Sequence, residues 1–185
     1  MSPPSQIHTA RLVLRAPQKS DAPAIQRLAD DVDIARNTLT IPHPYPPGAA
    51  ESWIAMVTEK AADGNHAAFA ICDRTSGELY GVIGLRIERD QQRAELGYWI
   101  GKPFRGRGLA SEASRAMLEH AFGALELERV YAAHFPWNPA SGRVLEKAGL
   151  KREGILRGHA QKNGERIDLQ FFGLLRAEHR AAAGQ

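Results

Sequence analysis

The stretch PFRGRGLASEA, residues 103–113, decides the fold because it joins two glycines and two arginines to the start of a helix. A loop that enters a helix presents unpaired backbone N–H groups and the positive end of the helix dipole, and both favour an anion. Gly106 and Gly108 let the backbone approach closely and adopt positive φ, while Arg105 and Arg107 add charge. The stretch predicts a phosphate-binding turn, with a plain solvated loop as the alternative.

Two familiar phosphate-binding motifs do not fit this turn. The Walker pattern requires Lys and then Ser or Thr after its last glycine, but Gly108 is followed by Leu109 and Ala110. The dinucleotide fingerprint requires a third glycine where Ser111 stands, and an acidic residue after the next strand, where VYAAHF offers none. Nucleotide hydrolysis and hydride transfer are therefore excluded as functions of the turn.

Length and composition are typical of a soluble globular protein with one domain. The 185 residues are 43% hydrophobic and 24% charged, with a net charge of +3. The charges are spread along the chain, which suits an anionic small ligand better than nucleic acid. The single cysteine, Cys72, lies in the apolar run AAFAIC and predicts a core thiol in a reducing cytoplasm. Neither a secretory signal nor a membrane-spanning run is present, so no membrane partner is expected.

The order of the predicted elements indicates a mixed α/β sheet. Alternating apolar residues predict strands in ARLVLRAP, HAAFAICD, LYGVIGLRIERD, RAELGYWIG, ERVYAAHF, LKREGILRGHAQ and ERIDLQFFGLLR. Helical spacing predicts helices after Ser20 and in AAESWIAMVTEKAADG, GLASEASRAMLEHAFGAL and NPASGRVLEKAG. Four prolines between Pro42 and Pro47 exclude regular structure there. The glycine turn lies in the second half, where strands and helices alternate.

A family resemblance rests on the pattern Arg-x-x-Gly-x-Ala, formed by Arg105, Gly108 and Ala110, and on its surroundings. Together with AELGYWIGKPFRGRGLASEA and RVYAAHFPWNPASGRVLEKAGLKREG, it makes the chain resemble the GNAT superfamily of N-acetyltransferases, within it the ribosomal-protein (RimJ/RimL-like) branch. The likeness runs from TARLVLRAPQKSDA to KNGERIDLQFFGLLRAE. It implies one domain over residues 1–185, ordered from about 8 to about 178. It also implies a mostly antiparallel sheet of about seven strands, with a splayed parallel central pair and about four helices.

The resemblance implies an acetyl-coenzyme A-dependent N-acetyltransferase that passes the acetyl group directly to a primary amine. The acceptor would be a protein N-terminus, as in ribosomal proteins, or a small-molecule amine. A non-catalytic coenzyme A-binding sensor or interaction module is the alternative function. By analogy the chain also allows a homodimer. No metal is expected, because the seven histidines lack metal-ligand spacing.

The resemblance also assigns residues to the cofactor. The strand before the turn would offer its backbone to the pantetheine arm at Trp99, Ile100 and Gly101, which requires that strand to splay from the next. The turn would hold the pyrophosphate through Arg105, Gly106, Arg107, Gly108, Leu109, Ala110 and Ser111. Asn138, Ser141 and Lys147 would complete the site from the other side of the cleft. A pure helix cap is the alternative for Asn138.

Two catalytic residues are implied in the same way. Glu95 lies on the strand beside the cleft, where related enzymes use a carboxylate as general base. Its alternative is an exposed strand carboxylate paired with an arginine. Ser141 would protonate the departing thiolate, or would simply bond an N-terminal amide of its own helix.

One position departs from the wider superfamily. Many members carry a tyrosine as general acid seven residues after the helix-capping asparagine, but Leu145 stands there, which excludes tyrosine acid catalysis from that site. His134, near a strand end, is a second candidate base, with a core or surface histidine as the alternative. Tyr98 is expected to serve packing rather than chemistry.

The acceptor end is assigned by analogy to NTLTIPHPYPPGAAESW and to the final hairpin around His159 and Asp168. Irregular, proline-rich loops often form specificity walls. Nothing in these segments identifies the acceptor amine.

Overall fold

A single eight-stranded sheet organises the computed structural model, which describes residues 6–182 and residue 184. The strands are β1 (Gln6–His8), β2 (Leu12–Arg15), β3 (His66–Asp73), β4 (Leu79–Glu88), β5 (Arg93–Ile100), β6 (Arg129–His134), β7 (Lys151–Lys162) and β8 (Glu165–Leu175). Their order across the sheet is β1-β2-β3-β4-β5-β6-β8-β7. All neighbours are antiparallel except the central pair of β5 and β6. The predicted mixed α/β sheet with a parallel central pair is therefore confirmed.

Within the described residues, six α-helices accompany the sheet. They are α1 (Ala22–Ala29), α2 (Val32–Asn37), α3 (Ala49–Ala62), α4 (Leu109–Phe122), α5 (Pro139–Ala148) and α6 (Arg176–Ala182). The sequence predicts about seven strands and four helices, so β1, α2 and α6 are additional. These elements have only three, six and seven residues, too few for a periodic apolar pattern to reveal them.

β5 and β6 are paired only where they begin. Their register joins Arg93 to Arg129, Ala94 to Val130 and Glu95 to Tyr131, with no further pair among the described residues. Beyond this point β5 continues beside β4, and β6 continues beside β8. The predicted splay is present, and it leaves one edge of residues 96–100 without a strand partner.

The helix that follows the glycine turn, α4, packs an apolar stripe against the sheet. Leu109, Ala113, Met117 and Ala121 recur at four-residue intervals and are buried. This burial fixes the start of α4, and hence the turn, relative to β5. Cys72 of β3 is buried as well, so its predicted place in the core is confirmed. Among the described helices, none has the length and apolar character of a membrane span.

A partly buried ion pair joins the start of α1 to β2. Asp21 accepts hydrogen bonds of 2.7 Å from both terminal nitrogens of Arg15 and from the Gln18 N–H. Burial raises the pKa of Asp21, but these hydrogen bonds outweigh burial and bring the pKa below 3.8. A depressed carboxyl pKa stabilises the fold above the unfolded pKa, and the stabilisation is lost as the pH falls through the folded pKa.

We expect Asp21→Asn to lower the free energy of unfolding by about 3 kcal/mol at neutral pH, because Arg15 loses its buried partner. Urea unfolding from about pH 7 to about pH 2 should show the difference from wild type shrinking below pH 3.8. Asp90→Asn, an exposed substitution between β4 and β5, is the control and should leave stability nearly unchanged. A difference that stays constant across this pH range would contradict the assigned role of Asp21.

Candidate active site

A cleft of about 960 Å³ opens where β5 and β6 diverge. Its lining comes from the ends of both strands, the glycine turn, the start of α4, one side of α5 and the segment 33–40. This volume suits a small-molecule or cofactor site. Within the described part of the chain, no three His, Cys, Asp or Glu side chains are grouped as metal ligands.

The glycine turn has the backbone geometry of an anion site. Gly106 and Gly108 have φ of 79° and 78°, in the left-handed region that favours glycine, and Gly108 is the N-cap residue of α4. The backbone N–H groups of residues 106–111 donate to no acceptor within residues 6–182 and 184. Unpaired N–H groups at the positive end of a 14-residue helix suit the predicted anion.

The guanidinium groups of the turn have partners within the protein. Arg105 places Nη2 3.0 Å from Asp31 and Nη1 3.4 Å from Asp33, at the start of α2. Arg107 donates to the Pro103 carbonyl oxygen and borders a separate, smaller cavity. Arg105 thus ties the turn to α2 through two carboxylates, and it also lines the cleft.

Most of the predicted site residues line the same cleft. They are Glu95, Trp99, Ile100, Arg105, Gly106, Gly108, Leu109, Ala110, Ser111, Asn138, Ser141 and Lys147. Gly101 and Arg107 are not among its lining residues. Gly101 lies so close to α1 that a Cβ atom would come within 2.8 Å of Leu28 Cδ2, so packing explains this glycine.

The first turn of α5 brings two predicted residues to the cleft. Asn138 is the N-cap residue, and its Oδ1 accepts the Ser141 N–H at 3.3 Å. The helix cap, the alternative for Asn138, is therefore present. The Ser141 hydroxyl does not bond an amide of its own helix among the described residues; it lies 2.8 Å from Tyr98 Oη. Ser141 is thus coupled to the strand on the opposite wall.

Tyr98 is a functional candidate that the sequence interpretation assigned to packing. Its Oη lies 2.8 Å from Ser141 Oγ and 3.3 Å from the Ser141 carbonyl oxygen. Burial raises the pKa of Tyr98 to about 12, while the hydrogen bond with Ser141 opposes the rise. The phenol therefore keeps its proton at neutral pH. The Tyr98 hydroxyl therefore reaches α5 from β5. At the position of the superfamily tyrosine, α5 itself carries the fully buried Leu145.

Glu95 lies where β5 leaves β6, on the strand face opposite Tyr98. Its carboxylate pairs with Arg86, the residue directly across from it on β4, and 34% of its side chain is exposed. The arginine-paired carboxylate, the alternative for Glu95, is therefore present. Glu95 also lines the cleft, so its role as base stays a proposal.

His134, the second candidate base, is buried at the end of β6 and lines the cleft. Nδ1 lies 2.8 Å from the Phe135 carbonyl oxygen, which can only accept, so Nδ1 carries the proton. The ring packs on Phe172, and Nε2 lies where a Cβ atom on Gly142 would come within 2.8 Å. These contacts match the core-histidine alternative.

The two segments assigned by analogy to the acceptor end line the cleft only in part. Cleft-lining residues of the first segment are Asn37, Thr38, Leu39 and Thr40, whereas Pro42 to Pro47 do not line the cleft. In the final hairpin, His159 packs edge-on against Phe171 and Asp168 accepts the Gly158 N–H at 2.7 Å. Neither lines the cleft, and Leu169 of β8 does so instead.

A family model settles the classification of this chain. The model described as "Acetyltransferase (GNAT) domain" matches residues 11–151, about three quarters of the chain. The chain belongs to the GNAT acetyltransferase family. The predicted family is confirmed, and the protein is an N-acetyltransferase like its named relatives.

Relatives of this GNAT protein point to the RimJ/RimL-like branch. It is 30% identical over 176 residues to the uncharacterized N-acetyltransferase YoaA of Bacillus subtilis, covering 92% of this chain and 96% of that protein. It is 28% identical over 172 residues to the ribosomal protein uS5-alanine N-acetyltransferase of Escherichia coli, covering 88% and 87%. Mycobacterium smegmatis RimJ, solved in complex with CoA-disulfide, matches with a TM-score of 0.80 at 25% identity, covering 94% of this chain and 88% of that chain.

Proposed function

We propose that this GNAT protein transfers the acetyl group of acetyl-coenzyme A directly to a primary amine in the cleft between β5 and β6. The main support is that unpaired N–H groups from residues 106–111 line the same cleft as the unpartnered strand edge of residues 96–100. The pyrophosphate and the pantetheine amides of coenzyme A need backbone partners of these two kinds. The acceptor is a protein N-terminus or a small-molecule amine.

We propose further that residues 1–185 form one catalytic domain that works in the cytoplasm. A single sheet joins strands from the first and the last parts of the described chain, which supports one folding unit. The lone cysteine is a buried free thiol, which suits a reducing compartment.

Glu95 accepts a proton in the proposed reaction. A neutral amine attacks the acetyl carbonyl carbon, so that a C–N bond forms while the C–S bond breaks and coenzyme A leaves as a thiolate. One N–H proton passes from the amine to the Glu95 carboxylate, directly or through a water molecule. No bond to the protein forms, so no acyl-enzyme is required.

Ser141 supplies a proton to the leaving thiolate, and Tyr98 orients the Ser141 hydroxyl. When the phenol donates to Ser141 Oγ over 2.8 Å, the hydroxyl hydrogen of Ser141 points away from Tyr98 and is available to the sulfur. Ser141 then regains its proton from solvent. Because Tyr98 stays protonated, it can donate to Ser141 throughout the neutral pH range.

We expect Tyr98→Phe to lower kcat about tenfold, the effect of one lost hydrogen bond of about 1.4 kcal/mol, with KM for acetyl-coenzyme A nearly unchanged. Steady-state kinetics of thiol release measure both parameters. Tyr80→Phe is the matched control, since it removes a phenol that donates to Asp73 at 2.7 Å outside the cleft. A kcat for Tyr98→Phe equal to that of wild type would contradict the positioning role.

Thiol release from acetyl-coenzyme A, with a panel of primary amines and N-terminal peptides as acceptors, tests the proposed function. Acceptor-dependent release supports direct transfer. Coenzyme A binding without release on any acceptor would favour the sensor or interaction module. Failure to bind coenzyme A would contradict the proposed site itself.

A further inference from the structure

An arginine shares the acceptor end of the cleft with the proposed base. Arg86 on β4 and Glu95 on β5 are direct cross-strand partners, and their side chains form an ion pair. The Arg86 side chain is 62% exposed, and within the described residues its guanidinium makes a hydrogen bond only to Glu95. A guanidinium has five N–H donors, so Nε and Nη1 remain available to a ligand.

Open space lies beside this ion pair. Gly97 is two residues along β5 from Glu95 and therefore on the same face of the sheet. A Cβ atom on Gly97 would have no heavy atom within 4 Å. Gly97, Glu95 and Arg86 all line the cleft, so a small ligand can rest on the sheet beside both charged groups.

Two other titratable side chains, His66 and Glu88, lie near Arg86. His66 lies opposite Arg86 on β3, and its pKa is lowered by burial and by the charges of Lys60 and Arg86, so it is neutral at pH 7. The nearby carboxylate of Glu88 already accepts a hydrogen bond of 2.7 Å from a neighbouring arginine. Among the described residues, Glu95 is thus the carboxylate that holds Arg86.

We propose that Arg86 binds a carboxylate of the acceptor, and that the acceptor is a compound with its amine and carboxylate on adjacent positions, as in a free α-amino acid. This inference rests on the proposed acetyl transfer. Because Arg86 and Glu95 are in contact, a ligand that spans them needs its two polar groups close together. A protein N-terminus carries a peptide amide where the free amino acid carries this carboxylate.

Such an acceptor also releases the base. In the ion pair, Glu95 accepts a charge-assisted hydrogen bond from Arg86 and is a poor proton acceptor. The acceptor carboxylate takes over the guanidinium, and the freed Glu95 carboxylate then receives the proton of the adjacent amine. Recognition of the acceptor and activation of its amine are thus one event.

Matched acceptors test the proposal. Thiol release is measured with a panel of L-amino acids and with their carboxamides, in wild type, Arg86→Gln and Arg86→Lys, with rates expressed per concentration of neutral amine. We expect wild type to prefer the free amino acids at least about tenfold in kcat/KM, the effect of a hydrogen bond to a charged group. Arg86→Gln should abolish this preference, and Arg86→Lys should keep part of it.

Equal kcat/KM for the two members of each pair in wild type, or a preference that survives Arg86→Gln, would overturn the proposal. Calorimetric binding of N-acetyl-amino acids in the presence of coenzyme A provides a second readout. Binding to wild type that is lost in Arg86→Gln supports the carboxylate site, even if no acceptor is acetylated. A failure to acetylate any acceptor would count only against the proposed transfer. Equal binding to wild type and Arg86→Gln would overturn the site.

Discussion

We expect Glu95→Gln to lower kcat by a factor of about 10² to 10⁴, the usual contribution of a general base, while coenzyme A affinity stays close to that of wild type. The amide has the shape of the carboxylate but cannot take up the amine proton. Affinity is retained because Glu95 lies at the start of the splay, whereas the proposed pyrophosphate contacts come from residues 106–111. Losing the partly exposed pair with Arg86 should cost no more than about 1 kcal/mol of stability.

Glu88→Gln is the matched control for this substitution. Glu88 lies on β4 two residues beyond Arg86, pairs with Arg93 at 2.7 Å and does not line the cleft. Thiol-release kinetics should therefore show a near-normal kcat for Glu88→Gln. A kcat for Glu95→Gln within about threefold of wild type would mean that the amine proton leaves by another route.

The second large effect is expected at the glycine turn, where Gly108→Glu should weaken coenzyme A binding by about 10²-fold or more. Gly108 has a φ of 78°, so a side chain there strains the N-cap of α4. The new carboxylate also lies at the unpaired N–H groups and repels the pyrophosphate. Isothermal titration calorimetry with coenzyme A measures this loss directly.

Gly48→Glu separates backbone strain from charge at the site. Gly48 is the N-cap residue of α3, which also has 14 residues, and its φ is 78° as well, but it lies outside the cleft. Both variants should lose comparable stability in thermal unfolding, and only Gly108→Glu should lose coenzyme A affinity. An unchanged affinity of Gly108→Glu for coenzyme A would contradict the proposal that the turn binds the pyrophosphate.

Long periodic segments explain why so much of the fold is predictable from the sequence. HAAFAICD coincides with β3, and the predicted helix in NPASGRVLEKAG matches α5 with its Asn138 cap and its left-handed Gly149. The short elements β1 and α2 escape prediction because three to six residues hold no full apolar period. The start of α2 is fixed by Asp31, which caps the Asp33 N–H, a signal that resembles an ordinary turn.

Part of the candidate site could also be predicted from local sequence, whereas the rest depends on residues that lie far apart in the chain. The positive φ angles of Gly106 and Gly108 could be predicted from residue type, because glycine adopts such angles without a steric penalty. Partners that lie far apart in sequence were not predictable. Arg105 pairs with Asp31 across 74 residues and Tyr98 meets Ser141 across 43, and both contacts depend on how the sheet and helices assemble.

The most direct test is a titration of the ¹⁵N-labelled protein with coenzyme A, followed through backbone amide chemical shifts. We predict that the largest changes fall on residues 106–111 and on the unpartnered edge of β5, residues 96–100. The Gly48 amide at the cap of α3 should stay unchanged. If the amides of residues 106–111 do not shift at a saturating concentration of coenzyme A, the result contradicts the claim that this cleft binds the acetyl donor.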